Sequence, residues 1–148
     1  MRDNYLKLEF ISKSTNESFA RTAVSAFIAQ LDPTIEEIGD IKTAVSEAVT
    51  NCIVHAYADS FGKIFITVKI LNNNVVLIKI RDKGVGIVDI DKAREPLFTT
   101  GGEERAGLGF AVMESFMDKV RVNSNKRGTS VSMYKKLSEN VRGEPGAK

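Results

Sequence analysis

Four segments with alternating apolar and polar residues, arranged as two consecutive pairs, constrain the fold of this chain most strongly. Residues 63–71 and 75–81 are joined by three asparagines, and residues 119–123 and 129–135 are joined by a short polar segment ending in Gly128. Period-two alternation is typical of half-buried strands, and asparagine and glycine accept the positive φ angles of tight turns. The sequence therefore predicts two β-hairpins.

One strand and two helices are predicted before the first hairpin. A short alternating strand at residues 6–10 comes first, and Ser14 with Glu17 three residues later matches a capping box, which predicts a helix start. Apolar residues at four-residue spacing continue this helix until a proline, which disfavours helical backbone in the residue before it. A second helix is predicted from Thr34 to residue 56, over about six turns.

A third helix is predicted over residues 108–117, where Leu108, Val112 and Phe116 recur at four-residue spacing. Consecutive strands that pair as hairpins predict a mixed, mostly antiparallel sheet with helices packed on one face. The expected fold class is therefore α/β, a two-layer sandwich, with residues 1–137 as one domain and residues 138–148 as a flexible tail.

Composition indicates the cellular compartment and excludes two classes of partner. Lys+Arg number 21 and Asp+Glu 19, a net charge of +2, so no strong field attracts a polyanion and no direct nucleic-acid partner is expected. The single cysteine cannot form an internal disulfide, which favours a reducing compartment, by default the cytoplasm. No apolar run approaches the ~18–20 residues that cross a bilayer, so no membrane partner is expected.

The glycine-rich segment from Asp82 to Gly109 is much longer than the ~4–6 residues of a usual connection, and such loops are typically functional or disordered. It begins with Asp82, Gly84 and Gly86 directly after a predicted strand. The carboxylate could accept a hydrogen bond from an amino group such as that of adenine, and glycines without Cβ atoms would let a planar base approach the backbone. An ordinary glycine-rich turn fits the same residues.

The end of this segment has the features of a phosphate site. Gly101-Gly102 precede the third predicted helix and Gly107-Leu108-Gly109 open it, and backbone amides at a helix N-terminus hold anions. Arg105 and Thr99-Thr100 lie beside them. A flexible loop that leads into a helix is the alternative interpretation, and the spacing matches neither a P-loop nor a Rossmann fingerprint.

Glu47, Asn51 and His55 form a polar ladder on the second predicted helix. Their four-residue spacing places them on one stripe at the margin of the apolar face, where they could line a pocket. A solvated polar helix face has the same pattern, so the spacing alone leaves both interpretations open.

Taken in order along the chain, these motifs resemble a known family. Glu47 to Asn51, Asp82 to Gly86, Gly107 to Gly109 and Gly128-Thr129 resemble the N, G1, G2 and G3 boxes of the Bergerat-fold ATPase and kinase superfamily, which includes gyrase and histidine kinases. Within it, the chain is most similar to the small anti-sigma F factors of endospore-forming bacteria. The stretch Met113-Glu-Ser-Phe-Met-Asp118 strengthens that likeness.

The resemblance implies roles for the matching residues. Glu47 would be the general base, Asn51 would ligate Mg²⁺, and Arg21 would dock a partner protein. For His55 two roles stay open, a structural one and one beside the phosphates. The resemblance implies ATP or ADP contacts at Asn51, Asp82, Gly84, Gly86, Thr99, Thr100, Arg105, Gly107, Leu108, Gly109 and Thr129.

The same resemblance implies a protein serine kinase that is also an anti-sigma factor. It would use Mg-ATP to phosphorylate an anti-anti-sigma protein on serine, bind a sigma F-like sigma factor, form a homodimer, and change partner with its nucleotide. Two alternatives stay open: a general-stress anti-sigma kinase of the same family, and an ATP-gated binding module without kinase activity.

Overall fold

A five-stranded sheet forms one layer of the part of the chain that the computed structural model describes, residues 4–57, 60–84 and 102–138. The strands follow the order β1-β2-β3-β5-β4, and every described pairing is antiparallel. The two predicted hairpins, β2–β3 and β4–β5, are confirmed. The strands are β1 (Asn4–Ile11), β2 (Lys63–Leu71), β3 (Val75–Asp82), β4 (Lys119–Asn125) and β5 (Gly128–Lys136).

Three α-helices are described within the same residues: α1 (Thr15–Ile28), α2 (Ile35–Asn51) and α3 (Gly102–Phe116). A π-helical turn, Cys52–Ala56, follows α2 directly, so the regular α-helix ends about one turn earlier than the periodicity predicts. Helix α3 begins at Gly102 and not at residue 108, so the prediction of a loop up to Gly109 is wrong from Gly102 onward.

The capping box is at α2 and not at α1. Thr34 Oγ1 accepts a hydrogen bond from the Glu37 amide at 3.0 Å, and Glu37 Oε1 accepts one from the Thr34 amide at 2.9 Å. The capping box predicted at Ser14 and Glu17 is wrong: Ser14 has helical backbone angles and makes no side-chain cap bond. Glu17 turns instead toward α2, where Ser46 donates a hydrogen bond to it.

The helices cover one face of the sheet. Alternate residues of β2 and β3, among them Ile66, Val68 and Ile78, are buried in one cluster with helix residues such as Val24 and Val45. On the opposite face Lys79 and Arg81 are exposed. The predicted two-layer α/β sandwich is confirmed.

The buried face of α3 differs from the predicted stripe. Phe110 and Met113 inside α3, and Met117 just after its end, are buried, whereas Val112 is half-buried and Phe116 is 37% exposed. The four-residue spacing therefore marked the rim of the contact face and not its centre. No helix among the described residues is long and apolar enough to cross a membrane.

Of the predicted tail, residues 139–148 lie outside the described part of the chain, and Ser138 donates its backbone N–H to Glu37 Oε2 at 2.8 Å. That bond ties the end of the described chain to the first turn of α2. The division into a domain and a tail stays a prediction.

Candidate functional site

A small cavity of about 30 Å³, partly open to solvent, lies between the end of α2 and the adjoining ends of β3 and β5, with α3 as a further wall. Three residues that the sequence predicted, Asn51, Asp82 and Thr129, meet in it. The lining residues are Ala48, Asn51, Cys52, His55, Ala56, Ile80, Asp82, Phe110, Thr129 and Val131.

The carboxylate of Asp82 is held by the backbone. Asp82 is the last residue of β3 and is only 5% exposed. Its Oδ1 atom accepts hydrogen bonds from the Gly84 amide at 2.9 Å and the Thr129 amide at 3.1 Å. Two donors fixed in the main chain therefore orient the carboxylate.

Two glycines are required where the chain passes close to this carboxylate. A Cβ atom on Gly84 would overlap Ala56, the last residue of the π-helical turn. A Cβ atom on Gly128 would overlap the Asp82 carbonyl, and Gly128 has a φ of 135°, which L side chains rarely adopt. Both glycines let neighbouring segments approach closely enough to build the cavity.

Asn51, the last residue of α2, has a buried polar atom that points to a ligand. Within the described residues its Nδ2 has no hydrogen-bond partner. A buried unsatisfied donor is costly, so it indicates a missing acceptor. A Cβ atom built on Gly109 would lie 3.0 Å from this Nδ2 and 3.2 Å from Oδ1, so the carboxamide packs against a bare stretch of α3 backbone.

Cys52 and several apolar residues complete the cavity, and sequence reasoning missed them as site residues. Burial, with the Asp82 carboxylate nearby, raises the pKa of the Cys52 thiol well above its usual 9.0, so the thiol stays protonated at neutral pH. Ile80, Val131 and Phe110 supply apolar wall. Their periodicity identified them only as core, and no further signal in one sequence separates a cavity wall from a core.

Glu47 lies one turn before Asn51 on α2 and is half-buried, but it is not among the cavity-lining residues. On α1, Arg21 is 42% exposed and lies 3.4 Å from the carboxylate of Glu17. Ser46, next to Glu47, donates to the same carboxylate at 2.6 Å. The predicted docking residue is therefore linked to the helix that carries the polar ladder.

The remaining predicted residues are only partly placed. Gly86, Thr99 and Thr100 lie outside the described residues, and their roles stay predictions. Gly107, Leu108 and Gly109 lie inside α3 and not before its N-terminus, and Arg105 belongs to the same helix. The helix end that could donate backbone amides to an anion is thus at Gly102.

The described residues fit a purine nucleotide. An oriented, buried acceptor at Asp82 suits an exocyclic amino group, and the apolar walls suit a planar ring. Asn51 offers one amide oxygen, the kind of ligand that Mg²⁺ takes, and one unsatisfied donor for a phosphate oxygen.

Comparison with known proteins agrees with this geometry. The family model described as "Histidine kinase-like ATPase domain" matches residues 12–135. The chain superimposes on the crystal structure of the RsbU and RsbW domains of Rv1364c from Mycobacterium tuberculosis with a TM-score of 0.69 at 20% identity, covering 93% of this chain and 33% of that one. Fold and site therefore define a domain of the histidine kinase-like ATPase class.

Two relatives show to which family within this ATPase class the chain belongs. An anti-sigma F factor from Caldanaerobacter subterraneus subsp. tengcongensis is 59% identical over 140 residues, which cover 93% of this chain and 97% of the relative. An anti-sigma F factor from Pasteuria penetrans is 53% identical over 146 residues, covering 95% and 97% of the two chains. The chain belongs to the anti-sigma F factor family.

Proposed function

We propose that this chain is an anti-sigma factor that binds a sigma F-like sigma factor and also a kinase that phosphorylates an anti-anti-sigma protein on serine with Mg-ATP. The observation that supports it most directly is the buried cavity in which Asp82 and Asn51 meet, found in a member of the anti-sigma F factor family. The proposal places the protein in the cytoplasm with the transcription machinery.

Nucleotide selection would depend on Asp82. Its carboxylate, oriented by the Gly84 and Thr129 amides, would accept a hydrogen bond from the adenine amino group. Guanine carries a carbonyl oxygen at the corresponding position. That oxygen and the Asp82 carboxylate are both acceptors, so no hydrogen bond could form between them. The site would therefore prefer adenine nucleotides by the cost of an unpaired buried group.

Asn51 would hold the phosphate end. Its Oδ1 is the atom suited to Mg²⁺, and its buried Nδ2 would donate to a phosphate oxygen. When bound, Mg²⁺ would neutralise charge on the phosphates. The backbone at the start of α3, from Gly102, would add amide donors.

Glu47 would act on the protein substrate. One turn from Asn51 and half-buried, its carboxylate would accept the proton of the attacking serine hydroxyl as the oxygen–phosphorus bond forms and ADP leaves. Arg21, exposed on α1, would dock the partner. A homodimer would present two such docking residues.

The nucleotide would decide which partner is held. If ATP and ADP favour two different conformations of the chain, each would favour a different protein complex, since a ligand shifts an equilibrium only by its differential affinity for the two states.

One experiment tests both halves of the proposal. The purified chain is mixed with the sigma factor and the anti-anti-sigma protein in ATP, in ADP and without nucleotide, and complexes are separated by size exclusion while radiolabelled γ-phosphate is followed. Label on a serine of the anti-anti-sigma protein, with sigma factor bound in ATP, supports the proposal. Complexes without label would indicate a binding module, and capture of a stress sigma factor instead would indicate the general-stress kinase.

A further inference from the structure

Glu17 joins helices α1 and α2 through one carboxylate oxygen. Its Oε2 accepts a hydrogen bond from Ser46 Oγ of α2 at 2.6 Å and lies 3.4 Å from Nε of Arg21 on α1. The Glu17 side chain is only 22% exposed, so the junction is largely shielded from water. The three side chains thus form a connected network that runs from the surface of α2 to the exposed guanidinium of Arg21.

The hydrogen bond from Ser46 fixes the geometry of this network. An exposed pair between residues four apart on one helix is weak and holds long side chains loosely. A hydroxyl bond to a carboxylate is shorter and stronger. Ser46 therefore anchors Glu17, and Glu17 in turn holds the Arg21 guanidinium.

Ser46 also shares its helix with the reactive groups. It precedes Glu47 directly and lies on the same regular helix as Asn51. Because α2 is rigid over this length, the direction of Arg21 is set by the element that carries the proposed base. A docked protein would be aligned with that base.

We propose that Ser46 is a positioning residue, which orients Arg21 through Glu17 so that a docked partner protein is aligned with Glu47. This inference rests on the proposed function, since it uses Arg21 as the docking residue. It assigns to Ser46 a role in partner recognition and none in nucleotide binding.

The test compares Ser46→Ala with Ser46→Thr, which keeps the hydroxyl. Thr43→Val is the matched control, since within the described residues the Thr43 hydroxyl donates to a backbone carbonyl of its own helix, that of Gly39, at 2.9 Å. For Ser46→Ala we expect KM for the anti-anti-sigma protein to rise about fivefold, the equivalent of one lost hydrogen bond. The kcat value should fall with it, because the partner is no longer aligned with Glu47, whereas the ADP Kd stays within about twofold. Ser46→Thr and Thr43→Val should behave like wild type.

Three results would overturn the inference: an unchanged KM in Ser46→Ala, an equal defect in Ser46→Thr, or parallel losses in kcat and ADP binding that mark general damage. If wild type transfers no phosphate, the proposed kinase function fails by itself. In that case the affinity of the same variants for the sigma factor tests the role of Ser46. We expect Ser46→Ala to bind the sigma factor more weakly than wild type, Ser46→Thr and Thr43→Val do.

Discussion

The Oδ1 atom of Asp82 lies 3.1 Å from the backbone nitrogen of Thr129, and this bond joins the end of β3 to the start of β5 at the cavity. The two strands are already paired along their length, with Arg81 opposite Ser130. The Asp82 carboxylate is therefore an extension of the sheet ladder. Its position depends on the most regular part of the fold.

Replacing Asp82 with Asn tests this carboxylate as the nucleotide acceptor. The amide can still accept from Gly84 and Thr129 through its oxygen, but it brings a donor where an acceptor is needed. We expect ATP and ADP binding to weaken by roughly 1–3 kcal/mol in calorimetry. Asp118→Asn, whose carboxylate bonds to Lys136 away from the cavity, is the control. Equal affinity in wild type and Asp82→Asn would remove Asp82 from the site.

Replacing Glu47 with Gln tests the proposed base. The neutral amide cannot take up a proton, and general bases contribute roughly 10²–10⁴-fold to a rate. Phosphate transfer should fall by about that factor in a single-turnover assay, while the ADP Kd stays unchanged. Glu36→Gln, an exposed position in the first turn of the same helix, should transfer phosphate normally. Normal transfer by Glu47→Gln would refute the assignment.

Gly109→Ala tests the contact between α3 and Asn51. The new Cβ would lie 3.0 Å from Asn51 Nδ2, so the carboxamide must shift. We expect Mg-ATP affinity to drop about tenfold, or about 1.4 kcal/mol, measured by titration. Gly39→Ala is a close control, since its Cβ meets nothing within 4 Å. That variant should bind normally and be slightly more stable.

The raised pKa of Cys52 predicts that the free energy of unfolding falls in alkaline solution. Its pKa is raised in the folded state by burial first and by Asp82 second, so the folded chain keeps a proton that the unfolded chain releases. The stabilising contribution is complete below the unfolded value of about 9 and is lost as pH rises toward the folded value. Urea unfolding between pH 8 and 10.5 measures it.

In that series Cys52→Ala should lose less stability than wild type. Part of the alkaline loss should persist in the variant, because the pKa of Tyr57 is also raised, chiefly by desolvation. Parallel curves for the two proteins would show that the thiol does not titrate as described.

Lys135→Met should destabilise the fold. Lys135 is buried, pairs with Asp40 of α2 at 3.3 Å and donates to the Phe116 carbonyl at the end of α3 at 2.7 Å. Methionine fills the space but leaves both acceptors unpaired, at a cost of roughly 1–3 kcal/mol. Urea unfolding measures the loss. Lys136→Met, at the exposed neighbouring position, should change stability little.

The sheet could be predicted from sequence because its signal is local. Alternation in β2 and β3 marks the buried face, and Asn73 and Asn74 take the positive φ angles of 64° and 60° that the turn requires. The meeting of Asn51, Asp82 and Thr129 could be predicted only from the family resemblance. Their spacing alone left an ordinary turn and a solvated helix face open.

The errors came from tertiary contacts that outweigh local preference. Glu17 does not cap α1, because Ser46 on another helix offers it a hydrogen bond. Cys52 and Phe110 were not predicted as site residues, because only the assembled fold leaves a space beside them. Helix α3 starts before its apolar periodicity does, in a stretch whose glycines indicated a loop.

The hydrogen bonds from Gly84 and Thr129 that orient Asp82 come from main-chain N–H groups, which every residue except proline possesses. Substitutions at neighbouring exposed positions can therefore accumulate without turning this carboxylate, provided that the backbone keeps its path. Relatives whose flanking side chains have diverged can thus retain the same orientation of this carboxylate, and the fragile positions are the glycines at 84 and 128, where a single added methyl group would move the chain.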